Sequence, residues 1–129
     1  MTEFELRRLV RLQQKVYATY DQIDGLTSQL EMAAAMSAEG GQTPSLSDVE
    51  GRLSQVREEY GPLLEDYSSL WERVDAALQA VEDDDDRLLL QRRYTLGYTW
   101  PDIAEAMGCS VRDCRQLHRR ALASVEVLA

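Results

Sequence analysis

Apolar residues recur every three or four positions along the first part of the chain, which is the repeat of one helix face. This stripe predicts a single long helix over residues 2–36. Gly25 lies inside it and costs about 1 kcal/mol relative to alanine, so we expect a local weakness in the helix there. The stripe consists of Leu9, Leu12, Val16, Thr19, Ile23, Leu26, Leu30 and Ala33.

A second helix is predicted after residues 37–47, whose glycines, proline and hydroxyl side chains are typical of a loop. Ser47 and Glu50 have the spacing of a capping box, which marks a helix start. The following segment alternates four-residue and three-residue steps between apolar positions, the pattern of a coiled-coil seam. Gly61 and Pro62 interrupt it without a change of register, so we expect one bent helix. The seam consists of Val49, Leu53, Val56, Tyr60, Leu63, Tyr67, Leu70, Val74, Ala77 and Val81.

The two long helices are expected to pair as an antiparallel hairpin over residues 1–82, because neither can leave its apolar stripe in water. The second helix carries more large apolar side chains than one partner helix covers. These are Tyr60, Leu64, Tyr67, Trp71 and Leu78. Their number favours a homo-oligomer, foremost a dimer, assembled through the hairpin. The alternative is that they pack against the C-terminal part of the same chain.

Residues 83–129 predict three shorter helices with clear start and stop signals. The acidic run 82–86 is expected to end the hairpin and cap the next helix, since negative charge is favoured in a first helical turn. That helix is predicted over residues 87–96 and ends at Gly97. Thr99 caps a second helix that stops at Gly108, and Ser110 caps a third over residues 111–128. A short helix, a glycine turn and a longer helix form the plan of a helix-turn-helix.

The charge of the chain is divided between its two parts. The formal net charge is −9, which by itself argues against a polyanionic partner. Residues 1–86 hold 7 basic and 19 acidic side chains, whereas residues 87–129 hold 7 arginines and 4 acids. The C-terminal part is therefore the basic one. It is the part in which a nucleic-acid site is expected.

Other function classes find little support in the sequence. No signal peptide or apolar stretch long enough for a bilayer is present, so we expect a cytoplasmic protein without a membrane partner. Cys109 and Cys114 lack the spacing of metal or redox pairs, and we interpret both as reduced and structural. No phosphate-binding glycine loop, metal constellation or nucleophile arrangement occurs. We therefore expect no enzyme activity, no metal and no cofactor.

The C-terminal segment resembles region 4 of the sigma-70 factors, which reads the −35 promoter element. The resemblance rests on Leu89-Leu90, Arg93-Tyr94, Gly97, Ile103-Ala104, Met107-Gly108, Ser110, Cys114-Arg115-Gln116-Leu117 and Ala121-Leu122. The chain departs from the family at residues 99–102 (TWPD), where an acid-rich helix start is usual. With its N-terminal coiled coil and the pairs Thr99-Trp100 and Leu117-His118, the whole chain resembles small phage and prophage region 4-like proteins, some linked to late transcription. The expected fold is all-α, a long antiparallel helical hairpin followed by a three-helix helix-turn-helix domain.

The third short helix is expected to read DNA, because its apolar side packs inward and leaves Arg112, Arg115, Gln116 and Arg119 on the opposite side. Arginine pairs with guanine and glutamine with adenine through two hydrogen bonds each. The resemblance implies that Arg115 and Gln116 face the major groove. Arg120, Thr99 and Ser110 are expected to bind phosphate, with help from helix N-termini.

Three functions follow from this interpretation. The first is a DNA-binding transcription regulator acting on double-stranded DNA. The second is an adaptor that binds host RNA polymerase without strong DNA binding. The third is a phage packaging subunit of the small-terminase kind, and the position of the DNA-binding part at the C-terminal end of the chain argues mildly against it.

Overall fold

The structure is a computed structural model that describes residues 1–38 and 46–128. Helix α1 spans Glu3–Ala38, and α2 spans Leu46–Gln79. Helix α3 spans Asp84–Leu90 and continues into a π-helical turn, Gln91–Thr95. Helices α4 and α5 span Trp100–Met107 and Val111–Leu128. The all-α fold and the order of a helical hairpin before a helix-turn-helix are confirmed.

The two long helices agree with their predicted stripes. All eighteen predicted stripe positions are buried or half-buried, and all but Val81, which follows the end of α2, lie in α1 and α2. Helix α1 runs without interruption through Gly25, and α2 runs through Pro62 as one helix, as predicted. Helix α2 begins at Leu46, so Ser47 lies in its first turn and not at the predicted capping position. Residues 39–45 of the predicted loop lie outside the described residues.

The contacts divide the chain into two compact units, residues 12–66 and residues 1–11 together with 67–129. In the first unit, the buried side chains Leu12, Val16 and Ala33 of α1 and Leu53 and Val56 of α2 provide a narrow apolar core.

The second unit joins the start of α1, the end of α2 and the C-terminal helices. Arg73 on α2 pairs with Glu5 on α1 at 3.2 Å, which places the start of α1 beside the end of α2, as an antiparallel hairpin requires. The unit includes residues on both sides of the predicted 82/83 boundary. The assignment of separate roles to residues 1–82 and 83–129 stays a prediction.

Trp71 connects the end of α2 to the π-helical turn, since its indole Nε1 donates to the carbonyl of Thr95 at 3.3 Å. Leu78, on the same helix, is fully buried. For these two residues, the structure agrees with the alternative that the apolar surplus of α2 packs within the chain. Helix α5 packs against α3 and α4 around a core of Leu89, Leu90, Ile103, Cys114, Ala121 and Val125.

Helix α3 begins three residues earlier than predicted. Asp83 accepts a hydrogen bond from the Asp86 backbone N–H at 2.9 Å, and the acids of the run fill the first turn. The helix dipole favours these charges, and Arg87 pairs with Asp84. The role of the acidic run as a cap is confirmed. The end of this helix was predicted as ordinary α-helix, but Leu96 N–H donates to the Gln91 carbonyl, a five-residue step that makes the turn a π-helix.

Over residues 1–38 and 46–128, no helix combines the length and apolar character needed to cross a bilayer.

Candidate nucleic-acid interface

The turn between α4 and α5 is fixed by local capping. Thr99 Oγ1 accepts the Asp102 N–H at 3.3 Å, and Ser110 Oγ accepts the Asp113 N–H at 3.0 Å. Gly108 ends α4 at φ 67°, the left-handed conformation that glycine adopts without a steric penalty. Both predicted caps and the glycine stop are therefore confirmed. They fix where α5 begins and the direction in which it leaves the turn.

The inner face of the helix-turn-helix determines which side of α5 faces outward. Ile103, Cys114 and Ala121 are fully buried, and Ala104 is only 7% exposed. A small side chain at position 104 allows α4 and α5 to cross closely. The packing of this face leaves the opposite side of α5 to solvent.

The outward side of α5 carries four of the predicted DNA-binding residues. Arg112, Arg115, Gln116 and Arg119 are all exposed. Together with Val111 they line one shallow depression in the surface. In the described part of the chain, no ion pair or hydrogen bond engages these four side chains, so their donors are available to a ligand.

Arg120 was also predicted to bind DNA phosphate, and in the structure it makes contacts within the protein. Its Nε and Nη2 donate to Asp86 Oδ1 at 3.1 and 2.8 Å, and Nη2 lies 3.4 Å from Asp83 Oδ1. Hydrogen bonding to Asp86, followed by the charge of that carboxylate, raises the pKa of Arg120 above its ordinary value.

The Asp86 side chain is 3% exposed and also accepts a hydrogen bond from Ser124 at 3.3 Å. Removing Arg120 would leave a buried carboxylate without its counter-charge. We therefore assign Arg120 a structural role, holding α5 against the start of α3, while its predicted contact with DNA phosphate stays a prediction because the side chain is 59% exposed. The sequence contained both charges, but their separation of 34 positions left no local signal for the pair.

Thr99 and Ser110 remain exposed although their oxygens serve as caps. Each lies at the start of a helix, where the first backbone N–H groups have no partner within the helix. A role for these two hydroxyls toward phosphate stays a prediction.

An aromatic cluster connects α5 to the π-helical turn and to the start of α4. The Tyr94 hydroxyl and His118 Nε2 form a hydrogen bond of 2.7 Å, and the Trp100 ring meets the imidazole edge-on at a centroid distance of 4.9 Å. Burial raises the pKa of Tyr94 to about 12, so its hydroxyl keeps its proton. Burial also lowers the pKa of His118 below 6.5, which favours the neutral imidazole.

Arg93 completes this cluster from the other side of Trp100. Its guanidinium lies 4.9 Å from the centre of the indole ring, and Nη1 donates to the Tyr98 carbonyl at 3.3 Å. A cation over an indole face is attracted by the ring electrons. Trp100 and His118 thus anchor α4 and α5 to each other, the structural role that the sequence left open for both.

Residues 1–38 and 46–128 offer few candidates for a metal or redox site. No three histidine, cysteine or acidic side chains in these ranges come together as a metal site would require. Cys109 is half-buried, Cys114 is buried, and both are free thiols. The depression on α5 with its exposed arginines is the candidate functional site.

Comparison with known families agrees with this geometry. Residues 72–125 match the family model described as Sigma-70, region 4. This segment, which contains the helix-turn-helix of α4 and α5, is similar to sigma-70 region 4. The matched segment begins in the second half of α2 and ends in α5, and it covers 54 of the 129 residues. The resemblance inferred from the sequence is thereby confirmed for this domain.

Region 4 domains bind DNA and RNA polymerase, and their family is regulatory rather than enzymatic. The match therefore indicates a function of the DNA-binding regulator type. A phage or prophage origin and a coiled coil in the hairpin stay predictions. No curated protein and no solved structure matches the chain.

Proposed function

We propose that the chain is a sequence-specific transcription regulator that binds double-stranded DNA and reads the major groove with α5. The observation that carries the proposal is the outward face formed by Arg112, Arg115, Gln116 and Arg119 on a helix of a region 4 domain. These side chains supply the donors that pair with guanine and adenine edges.

The dimensions of this face suit the major groove. Arg112 and Arg119 are seven residues apart, so the face spans about two helical turns, and an α-helix with its side chains is about 10–12 Å across. The major groove of B-DNA is about 12 Å wide and admits one helix. Arg115 and Gln116 lie in the middle of the face and are our candidates for base contacts, with the outer arginines near the phosphates.

Electrostatics should make binding depend on sequence and salt. The formal charge of −9 repels a polyanion at long range, while the basic face attracts it at contact distance. We therefore expect weak affinity for arbitrary duplexes and a strong decrease with added salt. Specific base contacts are then needed for tight binding.

Host RNA polymerase is the second partner that we propose, because region 4 domains bind it. We further propose that the protein is encoded by a phage or prophage and acts on late transcription, on the basis of the sequence resemblance. The competing adaptor function would use the same domain to hold polymerase without reading DNA.

Residues 12–66 are the candidate surface for dimerisation. Tyr17, Tyr20 and Met32 on α1 are 62%, 55% and 66% exposed, and Leu64 on α2 is 38% exposed. These exposed large apolar side chains make this unit the candidate for an interface, provided that they form one contiguous patch. Light scattering on the purified chain should give the mass of a dimer. A monomer would contradict this assembly, and a ring of many copies would favour the packaging function.

Selection of bound sequences from a random duplex pool tests the proposed function. The wild-type chain should enrich one motif, and the double variant Arg115→Ala/Arg119→Ala should enrich none. Arg52→Ala/Arg57→Ala is the matched control, since it removes the same charge from exposed positions on α2. It should enrich the wild-type motif. Failure of the wild type to enrich any sequence, together with capture of polymerase core enzyme, would replace DNA reading with the adaptor function.

A further inference from the structure

A second concave surface adjoins the outward face of α5. It is lined by Glu3 and Arg7 from the start of α1 and by His118, Arg119, Leu122 and Ala123 from α5. Arg119 lines both this surface and the depression that holds Arg112, Arg115 and Gln116. Arg119 therefore links the basic depression on α5 to a surface that includes the first turns of α1.

We infer that Arg7 and Arg119 form a binding site for a DNA backbone phosphate, which makes the first turns of α1 part of the DNA interface. The inference rests on the proposed function and extends it to a residue outside the matched segment 72–125. Nothing in the sequence pattern singled out Arg7, because its proximity to α5 arises only from the packing of α1 in the same compact unit.

The side chain of Arg7 is well suited to reach a ligand. It is 69% exposed, and its contact within the described residues is an ion pair of Nη2 with Glu3 Oε1 at 2.6 Å. A guanidinium has five N–H donors, so a phosphate can bind the donors that Glu3 leaves open. Such an exposed pair between residues four apart on a helix contributes little to stability. Arg7 is thus an exposed cation whose side chain contributes little to the stability of the fold.

The position relative to α5 identifies the ligand as backbone rather than base. When a helix lies in the major groove, the phosphates of the two strands border the groove on either side. Arg119 is the last residue of the base-reading face, and Arg7 lines the adjoining concave surface together with it. His118 adds no positive charge there, because burial lowers its pKa and favours the neutral ring. The two arginines supply the charge, and Glu3 opposes it.

The salt dependence of binding separates a phosphate contact from a merely nearby charge. The logarithm of the binding constant decreases linearly with the logarithm of the salt concentration. The magnitude of this slope becomes smaller by about 0.9 for each phosphate contact that is lost. We expect Arg7→Ala to lower the slope by about this amount. It should also weaken binding several-fold, by the same factor on the selected duplex and on a scrambled duplex.

Arg8→Ala is the matched control, since Arg8 is the exposed neighbour on the same helix and does not line the surface. It should keep the wild-type slope. Glu3→Gln removes the opposing carboxylate and should tighten binding to both duplexes. Far-UV circular dichroism of each full-length variant checks that the helices are retained.

The outcomes distinguish this inference from the function on which it rests. If the wild type binds DNA and Arg7→Ala matches Arg8→Ala in slope and affinity, the phosphate site is wrong while the regulator function stands. If Arg7→Ala changes the enriched motif itself, Arg7 contacts a base and the inference is likewise wrong. If the wild type binds no duplex at any salt concentration, the proposed DNA-binding function is wrong, and the phosphate site is wrong with it.

Discussion

Two glycines in this chain should respond in opposite ways to the same substitution. Gly108 has φ +67°, where an L-residue is strained, and a Cβ built there meets no atom within 4 Å. The cost of Gly108→Ala is therefore backbone strain alone, about 1–2 kcal/mol of unfolding free energy. Gly25 lies in the interior of α1, and its Cβ also meets nothing within 4 Å. Gly25→Ala should stabilise the helix by about 1 kcal/mol.

Denaturant unfolding followed by tryptophan fluorescence measures the first change directly. Trp71 and Trp100 are the two tryptophans of the chain, and both belong to the compact unit that contains Gly108. The fluorescence midpoint should fall for Gly108→Ala, and helix loss followed by circular dichroism should move to higher denaturant for Gly25→Ala. A neutral or stabilising Gly108→Ala would refute the left-handed turn that sets the direction of α5.

Three further predictions concern the framework around α5. Ser110→Ala removes the α5 cap and should lower the unfolding free energy by about 1 kcal/mol in denaturant titrations. Ser110→Asp should keep most of the wild-type stability, because aspartate also caps helices. Equal losses for both variants would show that the cap is absent. Because the pKa of His118 is lowered in the folded chain, the unfolded chain takes up a proton first as the pH falls below 6.5. The contribution of the neutral ring to the unfolding free energy is therefore complete above that pH and decreases below it. His118→Gln should therefore lose less stability than wild type on acidification, and parallel pH profiles would contradict the buried neutral ring. Arg120→Met should destabilise the chain by leaving Asp86 unpaired, and adding Asp86→Leu should recover stability in thermal melts; additive losses would argue against a direct pair.

The helices of this protein were predictable because their signals are local. Capping by Thr99 and Ser110 and the stop at Gly108 each depend on residues within a few positions of one another. The apolar stripes of α1 and α2 likewise needed only their own periodicity. The seam also kept its register across Pro62, which correctly predicted one helix there.

The features that the sequence did not predict depend on contacts between distant segments. The pairing of Arg120 with Asp86 gives a structural role to a residue that was predicted as a phosphate ligand, and no local pattern marks this pair. The π-helical turn is accompanied by a contact between Trp71 and the Thr95 carbonyl, 24 positions apart. The approach of Arg7 to α5 follows from the packing of the first turns of α1 beside the C-terminal helices. In each case the sequence shows which residue is present, but it does not show which distant residue it contacts.

The candidate site itself was largely predictable, because it lies on one helix. Once the apolar side of α5 is known to pack inward, the helical repeat places Arg112, Arg115, Gln116 and Arg119 outward. The structure agrees with that exposure for all four. Their contact with bases remains the proposal that experiment must test.

Binding to every single base-pair variant of the selected site, compared for wild type and Arg115→Ala, is the most direct test of base reading by α5. An arginine that contacts a base contributes about 1–3 kcal/mol of discrimination at that position. Our account predicts that Arg115→Ala loses this preference at one base pair and keeps the others. If Arg115→Ala binds every variant more weakly by one common factor, with all preferences intact, Arg115 reads no base and the central claim is contradicted.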